Sequence, residues 1–599
     1  MKKVYVVLLI SSLFACNFDE RLLNEDAQRF IDEYSTEYVK LYAVSQEAQW
    51  KSNIDIKEGD SNNAIQTRKS EEALAAFTGS EGVIKKAKAF MAHASSLTEL
   101  QQKQLEAILF SAANNPAIVD SIVKARIKAE TAQTEKLFGY QYKIGDKKVN
   151  TNDIDDILKN EIDLAKRRQA WEASKEVGKG LKEGLITLRA LRNKTVQALG
   201  YKDYFNYQVS EYNMTTDEMM ELNHKIMKEM WPLYREMHTY MRYELAKKYK
   251  QTVVPDYLPA DWIPNRWAQD WSSEVHVQGI NLDSILKTKG AAWIPKQAEA
   301  FYVSLGYAPL PTSFWEKSSL YPYKADSNVK KNNHASAWHM DLNQDVRSLM
   351  SVEANSEWWE TANHELGHIY YYMTYTNKDV PPLLRAGANR AYHEAMGTLM
   401  GLAAMQKPFL ENAGLIPKGV KTDSIQSLLK EAMNSAVFIS FSSGVMTGFE
   451  KSIYSDNLAS TEWNKKWWDL VKQYQGVVPP TTRGEEYCDA ATKTHINDDA
   501  AQYYDYALSY VILYQMHQHI AKNILHQDPH ACNYFGHKEI GDFLRKIMYP
   551  GSSKDWRKVL KETTGDDLNA NAMVDYFSPL MGWLKEQNNG RKYTLPEQL

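Results

Sequence analysis

The chain has 599 residues, with 71 Lys and Arg against 75 Asp and Glu and a formal net charge of -4. So balanced a charge offers no long-range pull to a polyanion, which argues against nucleic acid or an acidic surface as partner. Apolar residues make up 44 % of the sequence, enough for a large core, and no Pro/Gly/Ser-rich linker or fixed-period repeat divides it.

The N-terminus reads as a targeting segment. Lys2-Lys3 precedes an apolar run from Val4 to Ala15 that is too short to span a bilayer, which takes about 20 residues. A basic start, a short apolar core and a small residue at its end form a secretory signal over residues 1–15. Cys16 directly after Ala15 resembles a bacterial lipobox, with Phe14 an unusual occupant of its position. The expected mature chain therefore begins at a lipidated Cys16, with residues 16–25 as a tether. Export to the periplasmic or cell-surface side on a membrane anchor is the expectation, and plain secretion the alternative. Only Cys488 and Cys532 remain after Cys16; two thiols in an exported chain could pair, and the sequence leaves that pairing open.

From Asp26 to about Lys136, and again over 152–250, Leu, Ala, Ile and Phe recur at helical spacing between mixed charges. Strand signals are rare. The clearest are Tyr140 to Val149 and Val329 to Trp338. A mainly α chain follows.

The chemistry concentrates in Thr361-Ala-Asn-His-Glu-Leu-Gly-His-Ile-Tyr-Tyr-Tyr-Met373. Within it stands His364-Glu365-Leu366-Gly367-His368, an H-E-x-x-H string. Residues four apart share one helix face, so both imidazoles can reach one metal ion, with Glu365 beside the water it binds. Zinc lowers that water's pKa to about 7, where a carboxylate can take its proton. Ile369 and Met373 continue an apolar stripe, which predicts a buried helix. A catalytic zinc takes three protein ligands, and Glu394 is the candidate for the third. Gly387 and Asn389 mark a turn, and a second helix is predicted from Tyr392 to about Met405. An antiparallel helix pair would return Glu394 to the two imidazoles. His393 is the competing ligand, but it points about 100° away from Glu394 on that helix.

H-E-L-G-H-I-Y-Y-Y, then L-R-A-G-A-N, then H-E-A-M-G resembles the angiotensin-converting enzyme family of zinc peptidyl-dipeptidases. The similarity extends to Trp50 and Asn53-Ile54, to Arg192-Asn-Lys-Thr and to Leu199-Gly-Tyr201-Lys-Asp203-Tyr204. It implies a two-lobed helical ellipsoid with a deep central cleft, one catalytic domain over 26–590, one zinc ion and a monomer. Trp267-Ala-Gln269-Asp-Trp271 resembles the family's W-A-Q-T-W, which would place Gln269 on the substrate's C-terminal carboxylate. His334-Ala-Ser-Ala-Trp338 resembles its H-A-S-A-W. There the backbone at Ala335 would pair with an extended peptide, and His334 would donate to the peptide backbone. The positions matching Lys493 and Tyr503 hold the terminal carboxylate, and those matching His495 and Tyr506 stabilise the tetrahedral oxyanion. Retention of Gln269, Lys493 and Tyr503 implies dipeptide release from short peptides. A single-residue carboxypeptidase would bring an arginine nearer the zinc in place of the glutamine.

Three departures stand out. Thr398 replaces an aspartate that orients a zinc-bound histidine from behind, a contact typically worth about 10–100-fold in metal affinity or activity. Val209, Val471 and Asp505 occupy positions tied to chloride binding in animal members, so chloride is not expected as a cofactor. The span from His368 to Glu394 is two residues longer than the family norm, with the excess near Thr376 to Asp379. The alternatives are a single-residue carboxypeptidase or oligopeptidase on the same scaffold, and a peptide-binding lipoprotein with impaired catalysis.

Overall fold

Helices account for 66 % of the molecule and its strands are few and short, as the mainly α reading expects. The structure is a computed structural model that describes residues 2–57, 61–277, 282–324, 327–332 and 334–599, with side chains from residue 21 onward. The side chain of Cys16 and residue 1 of the leader lie outside the described part. The stretch read as a tether falls inside the first helix, α1 (Lys2–Ile54). Among the described residues no helix is long and apolar enough to cross a membrane, and Cys488 and Cys532 are both buried and unpaired.

The strands form three two-stranded pieces. β1 (Tyr142–Ile144) and β2 (Lys147–Val149) make an antiparallel hairpin, within the Tyr140–Val149 signal. β3 (Leu258–Pro259) runs parallel to β6 (Val477–Val478), and β4 (Ser336–His339) pairs antiparallel with β5 (Val346–Leu349). The strand predicted over Val329 to Trp338 is shorter than its sequence signal. Lys330 makes an isolated bridge to Ile56, and then the Asn332 side chain accepts the His334 N–H at 2.9 Å. Such an Asx turn bends the backbone and delays the strand to Ser336.

One continuous apolar core gathers the middle and end of the chain. It includes Trp231 and Tyr234 of α2 (Thr216–Lys248), Trp359, Leu366 and Ile369 of α3 (Ser356–Tyr375), Leu399 and Met400 of α4 (Arg390–Met405), Ala436 of α5 (Ser424–Ile439), Trp467 of α6 (Trp463–Gln475), and Leu508 and Ile512 of α7 (Tyr504–His519). Each large apolar side chain buried there contributes about 1.5–3 kcal/mol. α1 stands on smaller clusters. Phe30, Ile31 and Tyr34 meet Leu97, Leu105 and Ile108. Farther along, Trp50 packs on Met340 and Leu349 and meets Trp338 edge-on at 5.5 Å. Tyr42 donates its hydroxyl to the His339 carbonyl at 3.1 Å, so α1 covers the β4–β5 hairpin.

The pair α3 and α4 follows from local signals. Asn355 caps α3 by accepting the Trp358 N–H at 2.9 Å. Thr376 to Asp379, where the extra residues fall, is a turn after α3 whose last two residues are exposed. Asn389 acts as an N-cap rather than a turn residue, accepting the Tyr392 N–H at 3.1 Å. The second helix therefore starts at Arg390, two residues before its predicted start. The helices then cross with their backbones almost touching. A Cβ on Gly367 would stand 2.7 Å from Gly397 Cα, and one on Gly397 would stand 2.8 Å from His364 Cε1. Both distances lie below any real Cβ contact, so the approach needs glycine on both helices.

Gly367→Ala should lower stability by about 1–3 kcal/mol through overpacking. Gly180→Ala, where a Cβ would meet nothing within 4 Å on an ordinary helix, should be neutral or raise stability by up to about 1 kcal/mol. Denaturant unfolding of the two variants checks the contrast.

Candidate active site

α3 presents His364 and His368 on one face, and their Nε2 atoms lie 3.1 Å apart. Two nitrogens bound at about 2.0–2.1 Å to one tetrahedral ion lie about 3.3 Å apart, so this spacing suits a shared cation. α4 brings Glu394 Oε2 to 3.8 Å from His364 Nε2. One ligand atom from each of the three residues falls within 4.8 Å of the others, the one such metal-capable group among the described residues. Burial lowers the pKa of both imidazoles, which keeps them in the neutral, metal-binding form. Two nitrogens and one carboxylate oxygen make a donor set that suits zinc and leaves a position open.

The other nitrogen of each imidazole is also engaged. His364 Nδ1 lies 3.4 Å from Thr398 Oγ1, so the replacement residue still reaches the ring, without charge. His368 Nδ1 lies 3.3 Å from His393 Nδ1. His393, weighed above as a competing ligand, sits behind His368 among Tyr371, Tyr372 and Tyr375. Sequence reasoning missed this orienting contact. The available signal was a polar ring next to Glu394 on an otherwise apolar helix face.

Glu365 is buried and its Oε2 has no hydrogen-bond partner. Burial, then the nearby Glu394, pushes its carboxyl up to about 8. The arrangement leaves one carboxylate oxygen free to take or give a proton beside the metal-capable group.

A second cluster gathers residues distant in sequence. Lys493 Nζ donates to Gln269 Oε1 at 2.9 Å, and the Tyr503 hydroxyl donates to the same oxygen at 3.3 Å. Lys493 is 5 % exposed, and its ammonium lies over the Trp267 ring at 4.5 Å and the Tyr503 ring at 5.2 Å. Burial, with Arg266 adding to it and Asp498 opposing, pulls its pKa down to about 7. A buried cation held by one amide oxygen and aromatic faces is a ready receptor for a carboxylate.

His495 and Tyr506 pack against the lysine cluster through Tyr503. His495 Nε2 lies 3.3 Å from the Tyr506 hydroxyl, and His495 Nδ1 is buried without a partner. The Tyr503 ring centre is 4.9 Å from that of His495 and 5.0 Å from that of Tyr506. Burial raises Tyr506 to about 12, with Arg390 opposing this and Glu394 adding to it, and α7, which carries Tyr506, packs against α4, which carries Glu394.

Ala335 lies one residue before β4. The outer edge of β4 has no strand partner among the described residues, and Tyr372 of α3 donates to the Ala337 carbonyl at 3.3 Å, so this edge runs beside the histidine helix. The exposed His334 turns its Nδ1 to the Ala335 carbonyl at 3.1 Å. Val209 and Val471 are buried apolar side chains, and Asp505 is buried with Oδ2 3.5 Å from Arg390 Nε. Arg390 was also absent from the sequence reading, although it lies one turn before Glu394 on the same helix.

A family model described as angiotensin-converting enzyme, peptidase M2, matches residues 23–595. The chain belongs to the angiotensin-converting enzyme family. It is 30 % identical over 447 residues to the angiotensin-converting enzyme of the leech Theromyzon tessulatum, covering 72 % of this chain and 71 % of that protein. Identity to the angiotensin-converting enzyme of Bos taurus is 32 % over 457 residues, and to that of Mus musculus 31 % over 443 residues. The matches span 34 % and 33 % of those two proteins, about a third of their length. Members of the angiotensin-converting enzyme family use zinc, and the family assignment makes this chain a zinc metallopeptidase.

Thr398→Asp should tighten zinc binding, and Thr398→Val should weaken it, each by about 10-fold, the low end of the range for such orienting partners. Competition against a chelator of known zinc affinity measures both.

Proposed function

We propose that this chain is a peptidyl-dipeptidase that removes dipeptides from the C-terminus of short peptides. The observation that carries the reading is the Lys493–Gln269–Tyr503 cluster. It offers a buried cation to a carboxylate and touches the His495–Tyr506 pair, and Tyr506 stands on the helix packed against the one that carries Glu394. An enzyme that grips a free C-terminus measures its cut from that end. Gln269 lines this grip, which favours dipeptide release over removal of single residues.

His364, His368 and Glu394 would hold the zinc ion, which when bound supplies Lewis acidity and acidifies water. Glu365 serves as general base for the attacking water and returns the proton to the leaving amine through its unpartnered Oε2. Tyr506 and His495 aim donors at the oxygen where negative charge develops, so they act in the transition state more than in the ground state. The backbone at Ala335 extends the substrate as an added strand, and His334 donates to it. Depth of the carboxylate grip restricts substrates to short, unfolded peptides.

We further propose that residues 26–590 form one catalytic domain and that the protein is a monomer. The leader exports it, and a lipidated Cys16 tethers it to a membrane; soluble secretion is the alternative. A second reading, a peptide-binding protein with impaired catalysis, rests on the uncharged contact of Thr398 with His364. Wild type and Glu365→Gln hydrolysing equally little while both bind peptide would favour it.

Mass spectrometry of products from an N-blocked tripeptide should find the free dipeptide and no single amino acid, with hydrolysis abolished by chelator; single residues would establish the carboxypeptidase alternative instead. Lys493→Met should raise KM about 10–100-fold, the cost of losing a hydrogen bond to a charged group. Because Lys493 is charged below a pKa of about 7 and neutral above it, KM for peptides with a free carboxylate should climb as pH rises from 6 to 9. Lys493→Arg should flatten that climb. Chloride should not activate: replacing acetate by chloride at fixed ionic strength should leave the rate unchanged, and a several-fold rise would refute this.

A further inference from the structure

One guanidinium at the site has no part in the reading above. Arg390 opens α4, one helical turn before Glu394. Its Nη1 and Nη2 donate to the two oxygens of Asp499 at 2.9 and 2.6 Å. This paired contact fixes a planar guanidinium in orientation as well as position. Its Nε faces Asp505 Oδ2 at 3.5 Å. Asp505 is 1 % exposed, and its Oδ1 accepts the Tyr212 hydroxyl. The Tyr212 oxygen accepts the Ala391 N–H at 3.2 Å, which ties Asp505 back to the first turn of α4. Asp505 Oδ2 has no hydrogen-bond partner, so the Arg390 guanidinium is the charge that stabilises it.

Each member of this clamp belongs to a different segment of the site. Arg390 shares α4 with Glu394. Asp505 adjoins Tyr506 in α7. Asp499 caps the short helix Thr494–Asp498, its N–H bonded to the His495 carbonyl at 3.1 Å. Gln502 Nε2 donates to Asp499 Oδ1 at 3.1 Å, which carries the link on toward Tyr503. One side chain therefore joins the helix of the metal-capable carboxylate to both segments that supply the His495–Tyr506 pair.

We propose that Arg390 is a positioning residue that sets His495 and Tyr506 at the separation at which both donate to one oxyanion. The proposal rests on the peptidase reading above. Without the guanidinium, the buried Asp505 loses the ion pair at its unpartnered Oδ2 and the partly exposed Asp499 loses its paired contact, so the first takes up a proton or moves and the second turns to other partners. Either response shifts the segments that carry His495 and Tyr506. Donors that act on the transition state tolerate displacements of only about 0.5 Å. Gln269 lies on a segment outside the clamp, and Lys493 and Tyr503 keep their own bonds to its Oε1, so the grip on the terminal carboxylate is disturbed less than the oxyanion pair.

The test uses the zinc-loaded protein and two probes. A phosphonate tripeptide carries tetrahedral anionic oxygens and reads the oxyanion donors; a free dipeptide reads the carboxylate grip. Calorimetry of Arg390→Met should find the phosphonate weakened about 10–100-fold, somewhat less than the effect on rate of deleting an oxyanion donor outright. Dipeptide affinity should stay within about twofold, with metal content unchanged. In turnover, kcat should fall while KM holds. Tyr506→Phe should weaken the phosphonate too, and the double variant should lose clearly less than the product of the two single penalties, because Arg390 acts in part through Tyr506 and in part through His495. Arg390→Lys keeps the charge without the fork and should show the same selective loss at smaller size; it serves if the Met variant does not fold. Equal losses for both probes, or penalties that multiply in the double variant, would overturn the proposal. A wild type that binds the phosphonate no tighter than the dipeptide would instead overturn the peptidase reading, and Arg390's role with it.

Discussion

Two helices approach until their backbones touch, and the site exists because of it. Gly367 and Gly397 remove the two Cβ atoms that would hold α3 and α4 apart. On α4, Glu394, Gly397, Thr398 and Gly401 recur at spacings of three and four, so one stripe delivers the carboxylate, the close contact and the hydroxyl behind His364. Gly401 continues the contact, where a Cβ would meet Glu360 Cγ at 3.4 Å. Glycine inside a helix costs roughly 0.5–1 kcal/mol relative to alanine. The chain carries that cost because a carboxylate held a further Cβ radius away would no longer share an ion with the two imidazoles.

The polar interior divides into two kinds of group. Arg167 is fully buried and donates to the carbonyls of Leu158, Glu161, Asp261, Trp262 and Ile263. Arg483 is paired with Asp489 through two nitrogens. These groups are saturated and hold segments together. Lys493, Glu365 and His495 differ. Lys493 has an amide oxygen and ring faces but no bonded carboxylate, and Glu365 Oε2 and His495 Nδ1 have no partner. Leaving buried polar atoms unmatched costs stability. Unmatched buried atoms occur elsewhere too, His238 Nδ1 and Trp171 Nε1 among them, but Glu365 and His495 are the ones that stand beside the metal-capable group and the lysine cluster.

Legibility in sequence followed the length scale of each interaction. The four-residue spacing of His364 and His368 is a property of any helix, so their shared face was readable at once. Glu394 was readable because a helix, a turn and a second helix leave few ways to return, and its i−1 neighbour had to face elsewhere. The start of α4 was misplaced by two residues because Asn389 served as a cap, a choice made by its side chain. The strand at Val329–Trp338 was overextended for the same kind of reason, since Asn332 bonded its own backbone. His393 behind His368 left only a polar ring on an apolar helix face as its trace, and Arg390 between Asp499 and Asp505 left none, because their partners come from other segments.

The sequence by itself determined the helical class and that His364, His368 and Glu394 come together in one metal-capable site with Glu365 beside it, because helical periodicity and a short connection set those positions. Resemblance to a known family singled out Gln269, Lys493 and Tyr503, which no local pattern marks. Only the tertiary structure decided that Gln269, Lys493 and Tyr503 meet at one oxygen and that Thr398 still reaches His364. It alone showed Arg390 spanning two carboxylates. Contacts between segments a hundred or more residues apart depend on how whole helices pack, and no local pattern of residue types encodes that packing.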